Sequence, residues 1–152
     1  MPELVSLQPM KITIPLQIID LHEDGFHLLV EAFVFGHNFK LVLDTGASKT
    51  VFDQSMLMEL KPELAIEQSN RLSTGLGTNS MTSFTTLISD LQIGDLHVPP
   101  FEVAVLDLTT INYAYEQLNH PKVLGVLGGD LLMNYKAVID YSEQTLVMNA
   151  PN

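Results

Sequence analysis

The stretch Lys40-Leu-Val-Leu-Asp-Thr-Gly-Ala-Ser-Lys-Thr-Val-Phe52 ends an apolar run on an aspartate and turns at once through Thr45 and Gly46. A carboxylate taken out of water is costly unless hydrogen bonds or a shared proton compensate it. Asp44 therefore needs either a local cap or a chemical role. Glycine at position 46 lets backbone N–H groups approach a carboxylate closely, and the hydroxyls of Thr45 and Ser48 can hydrogen-bond around it. A carboxylate held in this way at a strand end is expected to be oriented and partly desolvated. The alternative is a plain Asx turn, the common use of an Asp-x-Gly triplet.

Working outward, 152 residues with 46% hydrophobic and 16% charged content describe a globular chain, read as one domain over 1–152 with a sizeable core. Seven Lys and Arg against 18 Asp and Glu leave a net charge of −11, which argues against a nucleic-acid partner. With no cysteine there is neither a disulfide framework nor a thiolate metal site. The histidines, His22, His27, His37, His97 and His120, show no metal-ligand spacing, so no metal and no cofactor is expected. Met56, Met58 and Met133 read as core or groove fillers. Neither 75–80 nor 125–129 completes a nucleotide-binding glycine motif, and no Gly-x-Ser-x-Gly nucleophile elbow is present. The first ten residues lack a basic n-region and no window is long enough to span a membrane, so a cytoplasmic protein without a membrane partner is expected.

Alternation with a period of two predicts strands over 12–18, with Pro15 at an edge, over 28–35 and over 39–44, the last two joined by a turn at 36–38. Further strands are predicted over 87–93 and 97–106 about a Gly94-Asp95 turn, over 138–141 and over 146–149. Ile111, Ala114, Tyr115 and Leu118 fall on one helical face behind the candidate caps Thr109 and Thr110. Shorter helices are expected at 54–60 behind Asp53 and at 130–135. The pattern is mostly β.

A second element gives the Asp-Thr-Gly triplet a context. Val123-Leu-Gly-Val-Leu-Gly-Gly-Asp-Leu-Leu132 is an apolar strand broken by paired glycines. Asp44-Thr45-Gly46 followed much later by Val126-Leu127-Gly128 resembles the pepsin-like and retroviral-like aspartic proteases, over roughly 12–149. That resemblance implies an all-β, retropepsin-like closed β-barrel with short helices, active as a C2 homodimer. It also implies an aspartic endopeptidase acting on peptide or protein substrates. Two carboxylates about 3 Å apart share one proton, so one serves as base toward water and the other as acid toward the scissile carbonyl. The chain has one Asp-Thr-Gly, and neither Asp130 nor Asp140 is followed by Thr/Ser-Gly. The second catalytic carboxylate is then Asp44 of a symmetry mate, with Thr45 bonding across the twofold axis and Gly46 completing the catalytic triplet.

Ala47 and Ser48 follow the triplet as expected substrate-binding positions. Ser73-Thr-Gly-Leu-Gly-Thr-Asn-Ser80 lies where retroviral-like proteases carry the flap, with Gly75, Leu76 and Gly77 closing over the peptide. Ser48 and Gly129 stand where viral enzymes commonly carry an acidic residue and an arginine that form an ion pair, so both partners are absent together. Gly128-Gly-Asp-Leu-Leu132 is instead similar to the Gly-x-Asp-x-Leu of cellular retroviral-like domains, such as that of the ubiquitin-shuttle aspartic proteases. Ala47 lacks the hydroxyl that in pepsin-like enzymes donates toward the dyad, which predicts a mildly rather than strongly acidic optimum. The helix near 111–118 either walls the cleft or extends the dimer interface. The competing reading is an inactive dimerisation or peptide-binding module on the same fold.

Overall fold

A computed structural model describes residues 10–69 and 83–150, and among these this pattern forms thirteen strands and three α-helices. Strand β1 (Met10–Pro15) lies antiparallel to β13 (Thr145–Ala150), and β13 pairs in turn with β12 (Val138–Asp140), giving a separate three-stranded sheet. The predicted strand over 12–18 is thus two strands in two sheets. Pro15 brings no N–H to the ladder, Leu16 turns inward and donates its own to the Gln144 carbonyl, and β2 (Gln17–Asp20) continues in the larger sheet.

The larger sheet has ten strands. Its centre is the hairpin of β3 (Phe26–Val34) and β4 (His37–Leu43), closed by Phe35 and Gly36, both at positive φ as a two-residue hairpin turn requires. That turn lies one or two residues before the predicted one. Phe35 is fixed there by its N–H on the Asp90 carbonyl and by the Lys61 ammonium 4.1 Å from its ring centroid. β8 (Leu91–Ile93) and β9 (Leu96–Val98) make the predicted Gly94-Asp95 hairpin. The predicted strands on either side of it are each cut in two, because β7 (Ser83–Ile88) breaks from β8 at Ser89-Asp90, and Pro99-Pro100, without N–H groups, separate β9 from β10 (Phe101–Leu106).

Across the other half, β6 (Glu67–Ser69), β7, β10, β5 (Val51–Asp53) and β11 (Gly125–Leu127) follow in order, and β11 adjoins β4. The expected closed barrel is not formed among the described residues: the hydrogen-bonded path runs from β6 to β9, two three-residue strands that do not pair, and β1 is diverted onto β13. The fold is mostly β, with helices α1 (Gln54–Leu60), α2 (Thr109–Gln117) and α3 (Gly129–Asn134) at the expected places.

Two apolar clusters hold the sheets. The main one joins Ile14, Leu41, Phe52, Leu57, Leu127, Leu146 and Met148, all nearly inaccessible to water. A smaller one lies on the opposite face of the β3–β4 hairpin, where Leu29 and Val42 meet Ile19, Val123 and Tyr115 of α2. Helix α2 is pinned to that face by Asn112, whose side chain both donates to the carbonyl of Val123 (3.1 Å) and accepts from its N–H (2.8 Å). Its start is capped from Asp107 rather than from Thr109 or Thr110. The hydroxyl and then the amide of Thr109 donate to that carboxyl and hold it below its ordinary range. Asp53, buried before α1, caps the Met56 N–H and also accepts from Leu108 N–H at 2.7 Å.

Candidate active site

Strand β11 runs between β4 and β5, parallel to the first and antiparallel to the second, so the loop over 44–50 that joins β4 to β5 must pass around its end. The approach is close enough to exclude side chains. A Cβ on Gly125 would lie 1.9 Å from the Val51 carbonyl oxygen, and one on Gly128 would lie 2.5 Å from the backbone of Lys49. These glycines are what let the two motifs meet. Asp44 N–H donates to the Leu127 carbonyl (3.1 Å), which carries the β4–β11 ladder one residue past the strand end. Gly129 N–H donates to the Ala47 carbonyl (2.7 Å) and closes the loop from the other side.

Within the loop, Gly46 N–H donates to Asp44 Oδ1 at 2.9 Å and Ala47 N–H to the Asp44 carbonyl at 3.2 Å. This is the Asx turn weighed as the bland reading, and it is also what orients the carboxyl. The expected desolvation is absent from the single chain: Asp44, Thr45, Gly46 and Ser48 are exposed and Ala47 is half-buried. Among the described residues no side-chain hydrogen bond from Thr45 or Ser48 reaches Asp44. Gly75, Leu76 and Gly77 lie outside the described residues.

Two residues that sequence reasoning left aside lock the loop. Asp130, in the first turn of α3, accepts from Thr50 N–H with both oxygens (3.0 Å each) and from the Thr50 hydroxyl (2.7 Å). The Thr50 oxygen in turn accepts from Gly128 N–H (3.1 Å), and Thr50 is fully buried. Charge-assisted bonds of this kind tie the Asp-Thr-Gly loop to the paired glycines. The acidic residue after Gly128-Gly129 was the visible signal, whereas its partner 80 positions earlier had none.

Beside Asp44 lies a cleft of about 220 Å³, bounded by Phe26, His27, Val42, Thr45, Ile139 and Tyr141. Phe26 and Tyr141 are two-thirds exposed there. Asp44 stands two residues beyond Val42 and shares its face, the face that α2 covers. Continued by one residue beyond Leu28–Leu43, the β3–β4 register sets His27 across from Asp44. The His27 ring is held edge-on to Tyr115, whose hydroxyl meets its Nδ1. Burial, with the nearby negative charge of Asp44, pushes the Tyr115 phenol up to about 12. Among the described residues no three His, Cys, Asp or Glu side chains group as a metal site would need.

A sequence model of the family described as aspartyl protease matches residues 30–131, from the middle of β3 into α3 and so over both motifs. The chain belongs to the aspartyl protease family. The fold of this family member is retropepsin-like, as three solved structures show. A retropepsin-like aspartic protease from Rickettsia conorii is similar with a TM-score of 0.55 and 21% identity, over 96% of this chain and 95% of that one. The retroviral protease-like domain of Ddi1 from Leishmania major is similar with a TM-score of 0.53 and 14% identity, over 81% and 90%. EIAV protease, in a complex with the inhibitor HBY-793, is similar with a TM-score of 0.52 and 20% identity, over 74% and 90%. A comparison with curated protein sequences found no match. Among the described residues, no helix of this family member is long and apolar enough to cross a membrane.

Proposed function

We propose that the chain, as a single domain over 1–152, is a homodimeric aspartic endopeptidase whose catalytic carboxylates are the two copies of Asp44, one per protomer. The observation that carries this reading is the state of Asp44: oriented by the Gly46 N–H, anchored through its backbone to Leu127, and exposed. A carboxylate so fixed, yet open on its outer side, has room to meet its counterpart across a twofold axis. The family match and the presence of one Asp-Thr-Gly support the same conclusion.

In the dimer the two carboxylates hold one proton between them, because like charges at about 3 Å cannot both ionise. The ionised member takes a proton from water as that water attacks the peptide carbonyl. The protonated member gives its proton to the carbonyl oxygen; as the tetrahedral intermediate collapses, the carboxyl that took the water proton passes it to the departing nitrogen and the other carboxylate takes a hydroxyl proton back, which releases the amine and restores the dyad. Thr45 bonds across the axis and keeps the two Asp44 groups coplanar. Ala47 and Ser48 border the peptide on one side, and Gly75, Leu76 and Gly77 cover it from the other as the flap. The peptide lies extended and gains backbone hydrogen bonds as an added strand.

The test is cleavage of a diverse peptide library between about pH 3 and 7, the range over which carboxyl dyads titrate. Wild type is compared with Asp44→Asn. Cleavage that disappears in the variant is expected. Equal cleavage by both proteins, or none by a wild type shown to be dimeric, would contradict the assignment.

A further inference from the structure

The cleft beside Asp44 has one hydrogen-bonding wall whose chemistry the catalytic proposal does not use. Tyr115 is 2% exposed, so its O–H needs an acceptor inside the protein, and among the described residues the partner it has is His27 Nδ1. With its phenol pushed up to about 12, Tyr115 keeps that proton throughout the range in which peptides would be cleaved. If Nδ1 carried a hydrogen it would donate to the Tyr115 oxygen, and the phenol O–H would then have no acceptor among the described residues. With Nδ1 engaged by Tyr115, Nε2 is the ring nitrogen free to present an N–H. His27 is half-buried and lines the cleft, so this N–H is one donor available to whatever enters.

The other groups around it limit what that can be. Asp44 lies across the register from β4, Thr45 and Tyr141 add hydroxyls, and Ile19 is the β2 neighbour. His120, on the far side of Tyr115, is committed to the Asp20 carbonyl. No Lys or Arg is among the described residues lining the cleft, and the chain carries a net charge of −11. An anionic side chain would meet Asp44 without a compensating cation. A neutral carbonyl acceptor on an apolar stem would meet the Nε2–H while packing its methylenes on Phe26, Val42 and Ile139.

We propose that His27, positioned by Tyr115, is a specificity-determining residue of this cleft and selects a peptide side chain carrying a neutral carboxamide, glutamine above all, close to the scissile bond. This rests on the aspartic endopeptidase reading. It also gives α2 a role: the helix backs one wall of the cleft.

The experiment uses a set of peptides that carry Gln, Glu or Leu at each position flanking a bond that wild type cuts. At one position Gln is expected over Leu and Glu by about three- to tenfold in kcat/KM, the range for one neutral hydrogen bond at a site built for it. His27→Leu should abolish the preference at that position alone, and Tyr115→Phe should weaken it by freeing Nδ1. Binding of the same fluorescent peptides to Asp44→Asn reads the selection without turnover. If wild type cuts nothing, the peptidase reading fails, and this binding series alone decides the role of His27. The inference is overturned if no position prefers Gln, or if an active His27→Leu keeps the preference. It is equally overturned if sedimentation shows that His27→Leu loses the dimer, since His27 would then belong to an interface.

Discussion

The most consequential residue outside the Asp-Thr-Gly triplet is Thr50. Its hydroxyl donates to Asp130 and accepts from Gly128, so Thr50→Val keeps the shape, removes one charge-assisted bond to Asp130 Oδ1, which retains the Thr50 and Leu131 N–H groups, and leaves the Gly128 N–H without its acceptor. Hydrogen bonds to charged groups contribute about 1.5–3 kcal/mol, so chemical denaturation should show Thr50→Val destabilised by about 2–4 kcal/mol once the orphaned Gly128 N–H is included. A loss below about 0.5 kcal/mol, typical of neutral surface changes, would mean the lock contributes nothing. Tyr115 supports a separate prediction at high pH. Its folded value of about 12 is raised above the ordinary 10, so the native state still holds the proton where the unfolded chain has released it. The stabilisation is complete below about pH 10 and is lost as the pH rises toward about 12. Urea midpoints across that window should fall in wild type and fall less steeply in Tyr115→Phe; parallel curves would refute the assignment.

Among the elements, β11 and the α3 helix were legible in the sequence. The apolar run and paired glycines of 123–132 announced a strand and a short helix, and both are present. What local periodicity could not carry was which sheet a strand joins. Pro15 and Pro99-Pro100 end ladders because they lack an N–H, so an unbroken alternation over 12–18 or 97–106 becomes two strands with different partners. Strands of three residues, such as β5 and β6, are too short to show any period. Gly125 is the clearest case of a glycine required by packing. Gly125→Ala would drive a methyl to 1.9 Å from the Val51 carbonyl, and the strand trio β4–β11–β5 has no slack to absorb it. A loss of about 3 kcal/mol or more is expected in denaturation, by analogy with overpacked cores. A stable Gly125→Ala protein would show the threading to be looser than described.

For the molecule as a whole, the site divides into a part written locally and a part written at long range. The turn at Asp44 could be read in sequence because its closing bond, from Gly46 N–H to Asp44 Oδ1, spans two positions. The pairings of Asp130, His27 and Tyr115 could not, because their partners are 80, 17 and 88 positions away and no spacing rule links them. The proposed function adds one further long-range step, a second chain. If Asp44 works only as a pair, every active molecule needs two intact copies. Activity should then rise faster than linearly with protein concentration near the dimer dissociation constant. The most direct measurement mixes wild type with Asp44→Asn in equal amounts, allows the chains to exchange, and follows peptide cleavage at fixed total protein. A shared dyad predicts a fall to about a quarter of the pure wild-type rate, because random pairing leaves that share of dimers with two aspartates. A fall only to about half would mean that each chain cleaves on its own, and would contradict the paired Asp44 site.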